Sequence, residues 1–250
     1  MDFSKVAVVT GSGKRRIGFH VAQALAERGH ALVVHYRTSK AEADEAVSDF
    51  QKYGVPAIAV QADLTNEQAA NGLIDTALTH FGRIDLLVNC AAEWKKTPLE
   101  LVTAADVRSD FEINTLATCL CSLRAGLAMA KQTEGGCIIT VGDWATERPY
   151  LGYLPYFVSK GSIATLTRAL AVELGTRNPA IRVNCIMPGP VMLPADLPEK
   201  ERQEAIAGTL VKREGSPDDV ARAVVFLAES PFITGVCLPV DGGRSIFAPP

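Results

Sequence analysis

The sequence carries no basic surplus: 25 Lys and Arg stand against 28 Asp and Glu, a formal net charge of −3. A protein that binds the phosphate backbone normally carries an excess of cations, so no nucleic-acid partner is expected. No apolar run approaches the roughly 20 residues that cross a bilayer, and no membrane partner is expected either. The first apolar run, Val6-Ala7-Val8-Val9, follows almost at once on the N-terminus, with no basic leader and long apolar segment before it. No signal peptide is therefore expected, and the protein is assigned to the cytoplasm. The six cysteines (Cys90, Cys119, Cys121, Cys137, Cys185 and Cys237) are scattered, mostly inside apolar runs. None has zinc-ribbon spacing, and Cys119-Leu120-Cys121 is not the four-residue redox motif, so no metal site is expected. They read as small buried hydrophobes in a reduced compartment. Linkers, repeats and low-complexity tracts are also missing, which makes residues 1–250 a single domain.

What is present is an alternation. Short apolar, β-branched runs at 6–10, 31–36, 57–62, 84–89, 137–142, 181–186 and 237–240 are separated by amphipathic stretches at 18–28, 40–53, 67–81, 104–131, 156–174 and 217–228. Strands that are apolar throughout, without polar alternation, belong to a parallel sheet covered by helices on both faces. The fold class is α/β, a doubly wound Rossmann-type sheet of seven strands. Ser216 followed by Pro217, Asp218 and Asp219 supplies an N-cap acceptor, a preset first-turn φ and two carboxylates favoured by the helix dipole. The irregular stretch 188–214, rich in Pro, Met and charge, has a short helical pattern at 199–210. It reads either as a substrate lid, around 190–214, or as a surface excursion.

A nucleotide site is indicated at the first strand–helix junction, Thr10-Gly11-Ser12-Gly13-Lys14-Arg15-Arg16-Ile17-Gly18. Glycines such as Gly11 let the backbone approach a pyrophosphate, and the helix that follows Ile17 offers free N–H groups and a positive dipole end. The simple G-x-G-x-x-G pattern is not met, because Arg16 takes the third position. At the end of the second strand an acidic residue would bind a ribose 2′-hydroxyl and repel a 2′-phosphate. The sequence there is His35-Tyr36-Arg37-Thr38-Ser39, with Arg37 able to pair with a phosphate and Ser39 able to donate to it. NADP(H) is therefore the expected cofactor. Asp63-Leu64 ends the third strand, where the carboxylate either accepts from an adenine amino group or caps a turn. Asn89-Cys90-Ala91-Ala92 ends the fourth, where small residues such as Ala91 allow close approach of the cofactor.

Tyr156-Phe157-Val158-Ser159-Lys160 puts a phenol and an ammonium on one helix face. A free tyrosine has a pKa near ~10, and a neighbouring positive charge is expected to lower it towards useful acid–base strength. Tyr153 is followed four residues later by Phe157 and lacks the lysine.

The glycine turn, Asn89–Ala92, Asn114, Tyr156 with Lys160, Pro188-Gly189 and Asp241-Gly242-Gly243 together resemble the short-chain dehydrogenase/reductase family over essentially the whole chain. The resemblance implies strand order 3-2-1-4-5-6-7 and a homotetramer. It implies that Asn114 holds the catalytic lysine through water, that Lys160 contacts the nicotinamide ribose, and that Pro188 and Gly189 lie against the cofactor. One position departs from the pattern. Thirteen residues before the tyrosine the family normally has a serine that holds the substrate carbonyl, and here the residue is Asp143. A carboxylate donates nothing unless protonated but binds an amino or ring N–H; alternatively it caps a turn. An aspartate here is similar to the pteridine reductase branch. That branch's turn arginine corresponds to Arg16, or to Arg15 if the extra turn residue shifts the register. Its stacking aromatic corresponds to Trp94, which either sandwiches a planar ring or makes a subunit contact. The resulting expectation is hydride transfer from NADPH to a C=N bond of a pterin-like small molecule. Asp143, Tyr156, Trp94 and Arg16 would bind that substrate. The alternatives are a carbonyl or 3-oxoacyl-thioester reductase of the same family and a non-catalytic NADP-binding sensor.

Overall fold

The computed structural model describes residues 5–248. Seven strands, β1 (Lys5–Thr10), β2 (His30–Tyr36), β3 (Ala57–Gln61), β4 (Leu86–Asn89), β5 (Gly136–Val141), β6 (Ile181–Pro188) and β7 (Cys237–Val240), form one sheet in the order β3-β2-β1-β4-β5-β6-β7. Every pairing is parallel. This is the Rossmann order that the resemblance implies.

Successive strand residues point to opposite faces, and the apolar runs divide accordingly. Ala7, Val9, Leu32, Val34, Val88 and Ile139 pack under α1 (Ile17–Ala26), α2 (Lys40–Gln51) and α8 (Pro217–Glu229). Val8, Val33, Leu87, Ile138 and Val183 pack under α3 (Glu67–Phe81), α5 (Ala117–Met129) and α6 (Leu154–Gly175). Both faces are thus dry, as continuous apolar strands require. Among the described residues no helix is long and apolar enough to cross a membrane.

Three boundaries differ from the sequence expectation for physical reasons. β4 begins at Leu86 because Gln132 takes the hydrogen bonds of Ile84, its Oε1 accepting from the Ile84 N–H (3.0 Å) and its Nε2 donating to the Ile84 carbonyl (2.9 Å). The stretch 104–131 is not one helix: α4 (Ala104–Phe111) and α5 are joined by a π-helical turn, Glu112–Leu116, that carries Asn114. Such turns recur at functional sites because they rotate a side chain out of the regular ladder. The third, α6, starts at Leu154 with Pro155 in its first turn, so Tyr156 lies near the helix start.

The segment after β6 contains one short helix, α7 (Glu199–Ala207), with no buried residue. It is clasped by Glu214, whose Oε1 accepts from the Leu193 N–H (2.8 Å) and whose Oε2 accepts from Arg202 (2.8 Å). The α8 cap forms as the sequence indicates: Ser216 Oγ accepts from the Asp219 N–H (3.2 Å), and Asp219 accepts from the Ser216 N–H (2.8 Å). Arg213 and Ser216 hold the Asp219 carboxyl well below the usual carboxylate range. Because α8 packs on α1, this cap steadies the face that supports the glycine turn. Ser216→Ala is expected to lower stability by about 1 kcal/mol, read as a lower urea midpoint with unchanged slope.

Candidate active site

The turn after β1 is set by close contacts. Gly11 has φ +66°, and a Cβ there would lie 2.9 Å from Ala91 Cα; a Cβ at Gly18 would lie 2.7 Å from the Gly11 carbonyl oxygen. The Gly11 N–H donates to His35 Nδ1 (2.9 Å), and the His35 Nε2 lies 3.1 Å from the Ala62 carbonyl. With Nδ1 accepting, the ring proton is on Nε2 and donates to Ala62. Both nitrogens are thereby used, and burial holds the His35 pKa below its ordinary value. The ring ties β1, β2 and β3 together at their C-terminal ends, beside the glycine turn. Ala91 closes the same knot, its N–H donating to Thr10 Oγ1 (3.0 Å).

The two arginines of the turn separate. Arg15 pairs with Asp49 (2.6 Å) and lies 4.6 Å from the Phe19 ring centre. Arg16 is the exposed N-cap residue of α1 and makes no side-chain bond among the described residues. The open position beside Ile17 therefore belongs to Arg16. Helix α2 begins at Ser39, whose hydroxyl also makes no capping bond, beside exposed Arg37. Side chains cap α3, α4 and α8. Those of α1 and α2 do not, so the N–H groups at these two starts are available to phosphates. Asp63 closes its own turn, one oxygen accepting from the Thr65 N–H (3.1 Å) and Oγ1 (2.8 Å), bonds that hold its pKa below the ordinary value. Leu64 beside it is buried. Asn89 is buried and donates to Ser122 Oγ (3.0 Å). Pro188 ends β6, and the Gly189 N–H bonds the Val240 carbonyl (3.0 Å), where a Cβ would meet Asp241 Cα at 2.5 Å. The turn, the two uncapped helix starts and the small residues facing them fit a dinucleotide.

Beyond this cradle, at the end of β5, lies the acid–base group. Tyr156 Oη donates to Asp143 Oδ2 (2.6 Å), and Asp143 Oδ1 accepts from the Ala145 N–H (2.7 Å). Tyr156 is 5% exposed and Lys160 4%. The Lys160 ammonium donates to the Val141 carbonyl (2.8 Å), and burial lowers its pKa. Burial and then Asp143 hold the Tyr156 pKa well above 10. The expected depression by Lys160 is overturned, because the carboxylate is the nearer charge and opposes phenolate formation. Burial likewise raises the Asp143 pKa, opposed by Tyr156, the Ala145 N–H and Lys160.

Asn114 does not reach towards the lysine through its side chain. Its Oδ1 accepts from the Glu93 N–H (2.9 Å), and its Nδ2 donates to the Glu93 carbonyl (3.1 Å) and Ser159 Oγ (3.0 Å). Ser159 Oγ in turn donates to the Tyr156 carbonyl (2.6 Å). Ser159, written inside the Tyr156–Lys160 motif, is a structural partner that sequence reasoning missed; a small polar residue on a buried helix face is its signal. Trp94 is half-exposed and lies flat on Tyr153, ring centres 4.6 Å apart and planes 12° apart. Its Nε1 donates to the hydroxyl of Tyr150, a second missed residue (3.0 Å). One face of Trp94 is therefore taken by Tyr153.

A model of the family described as enoyl-(acyl carrier protein) reductase matches residues 11–245. The chain belongs to the short-chain dehydrogenase/reductase family. It is 37% identical to an uncharacterized oxidoreductase of Methylorubrum extorquens, over 96% of this chain and 97% of that one. It is 35% identical to a 3-oxoacyl-[acyl-carrier-protein] reductase of Synechocystis, over 98% of each. The fold is similar to the crystal structure of acetoin dehydrogenase from Enterobacter cloacae, with TM-score 0.89 and 30% identity over 100% of this chain and 98% of that one.

The buried neutral His35 gives the site a pH signature. An unfolded histidine takes a proton near pH ~6.5, whereas His35 resists it, so the unfolded state binds more protons below that pH. Stability is expected to fall as pH drops from about 6.5 towards the depressed folded value, with His30, also held low by burial, acting in the same sense. Urea midpoints measured across this window should fall less steeply in His35→Gln.

Proposed function

We propose that this oxidoreductase is an NADPH-dependent carbonyl reductase, acting on a ketone or 3-oxoacyl thioester. The observation that carries the reading is the Tyr156 hydroxyl, buried at the strand end 2.6 Å from the Asp143 carboxyl with the Lys160 ammonium buried nearby. The names of two relatives, a 3-oxoacyl reductase and an acetoin dehydrogenase, support carbonyl–alcohol chemistry. NADPH is supported by exposed Arg37 and the uncapped Ser39 at the β2 end, where the segment His35–Ser39 holds no acidic residue.

When bound, NADPH supplies a hydride to the carbonyl carbon. Tyr156 gives its proton to the oxygen that becomes the alcohol. A phenolate next to an ionised Asp143 is unfavourable, so the working form for reduction has Asp143 protonated and ready to return a proton to Tyr156. The buried Lys160 charge stabilises the intermediate anion. Asn114 and Ser159 act as positioning residues, because they hold the α6 turn that bears Tyr156.

A second reading, hydride transfer to the C=N bond of a pterin-like ring, is favoured by Asp143 itself, since an ionised carboxylate binds an amino-heterocycle edge. NADPH oxidation with acetoin, a 3-oxoacyl thioester, dihydrobiopterin and dihydrofolate separates the two. Carbonyl turnover that survives Asp143→Ser within about tenfold, and falls by roughly 10²–10⁴ in Tyr156→Phe, is the expected result. Turnover of the pterins alone, abolished by Asp143→Ser, would replace the first reading with the second. NADPH binding without any turnover would sink both and leave a nucleotide sensor. In the same assay NADPH should exceed NADH by about 10–100-fold in kcat/KM, and Arg37→Glu should erase that preference.

We also propose a homotetramer, supported by apolar side chains left exposed on α5 and α6, including Leu127, Val158 and Val172. Sedimentation equilibrium should read about four subunits, and a monomer mass would overturn the assignment.

A further inference from the structure

The sheet places two cysteines side by side at its edge. Cys185 on β6 and Cys237 on β7 are partners in register. Adjacent strands lie about 4.8 Å apart, within the ~4.4–6.8 Å Cα separation that a disulfide spans. In-register parallel partners project their side chains from the same face, and Cys237 packs against the cluster that holds Cys185. Their surroundings differ. Cys185 is fully buried with Ile163 and Met187, while Cys237 is only partly covered. The Arg168 guanidinium of α6 lies 3.9 Å from Cys237 Sγ.

The asymmetry extends to acidity. The neighbouring Cys185 thiol, helped by Arg168 and opposed by burial and Glu147, brings the Cys237 thiol down to about 7. Burial pushes Cys90 and Cys121 up to about 12 and Cys137 up to about 11, and raises Cys119. Cys185 is also raised and stays a thiol. A partly exposed thiolate beside a cation, with a second thiol in contact, has the parts of a reactive and a resolving cysteine.

We propose that Cys237 and Cys185 form a peroxide-reactive dithiol, with Cys237 the attacking sulfur and Cys185 the resolving one. The Cys237 thiolate attacks one oxygen of hydrogen peroxide; an S–O bond forms, the O–O bond breaks, and hydroxide leaves to become water. The Cys185 thiol then loses its proton and attacks the sulfenic sulfur. An S–S bond forms, the S–O bond breaks, and a second water leaves. Two thiols are oxidised to one disulfide as one peroxide is reduced to two waters. Cys185 is adjacent to the candidate site: a Cβ at Gly142, the residue before Asp143, would lie 3.1 Å from Cys185 Sγ.

Hydrogen peroxide treatment of the full chain, followed by alkylation and non-reducing peptide mass spectrometry, tests the proposal. A Cys185–Cys237 linked peptide, reversed by dithiothreitol, is expected, with Cys90 and Cys119 still free to be alkylated once the chain is unfolded. Cys185→Ala should trap Cys237 as a sulfenic acid that dimedone captures, and Cys237→Ala should abolish the link. Arg168→Gln should slow linkage about two- to threefold, since a smaller thiolate fraction is partly offset by a more nucleophilic sulfur. A wild-type chain that forms no link, or one that links at an equal rate in Arg168→Gln, would overturn it.

Discussion

Gly11 stands where five elements converge, and the molecule is organised around how closely they approach there. Its N–H is taken by His35 of β2, its Cα side faces Ala91 beyond β4, and its carbonyl lies under Gly18 of α1. His35 extends the contact to Ala62 at the end of β3. A side chain at Gly11 or Gly18 would force these ends apart, and the left-handed φ at Gly11 would strain any other residue. The same crowding brings the starts of α1 and α2 to one edge of the sheet with their N–H groups free. A phosphate-binding surface is thus a by-product of the packing that closes the fold. The cost of leaving two helix starts uncapped is tolerated because the other faces of both helices are buried in the core.

Across the sheet the problem is charge. Asp143 and Lys160 are both withdrawn from water, and each is disfavoured in its ionised form by that withdrawal. The arrangement survives because each group has fixed partners: Ala145 and Tyr156 for the carboxyl, Val141 for the ammonium. Tyr156 is tuned by its carboxylate neighbour, and Lys160 acts through space on that carboxylate. A partly buried carboxyl and a phenol 2.6 Å apart titrate as a pair, so the useful proton belongs to both.

The strand positions, the glycine turn and the capping of α8 were legible in the sequence, because each rests on local chemistry or on hydrophobic period, whereas the strand order came from the family resemblance. The start of β4 moved from Ile84 to Leu86 because Gln132 takes the Ile84 hydrogen bonds. The roles of His35, Asn114 and Trp94 were not legible. Each is set by a partner distant in sequence: Gly11 and Ala62 for the histidine, Glu93 and Ser159 for the asparagine, Tyr150 and Tyr153 for the tryptophan. Residue type named a chemical capability in all three cases, and only the fold shows which distant groups take it up. Arg15 and Arg16 show the converse, since neighbours of one type are told apart only by which of them finds Asp49.

Asp143 brings these threads to one point. A serine in its place offers a hydroxyl that donates and accepts, so it holds a carbonyl oxygen in any protonation state of its neighbours. Asp143, with one oxygen on a backbone N–H and the other on Tyr156, has a donor only when it is protonated. Substrate choice is therefore tied to the proton count of the pair. With two protons shared by Asp143 and Tyr156, the pair donates to a carbonyl as the serine-containing site does. With one proton, the site accepts, and a ring bearing its own N–H groups is the better complement. Burial, which favours the neutral carboxyl, tilts the balance to the first case, while Lys160 tilts it back towards the second. The choice between an oxygen and a nitrogen substrate, on the proposed function, thus rests on burial opposing Tyr156, the Ala145 N–H and Lys160 at a single carboxyl group.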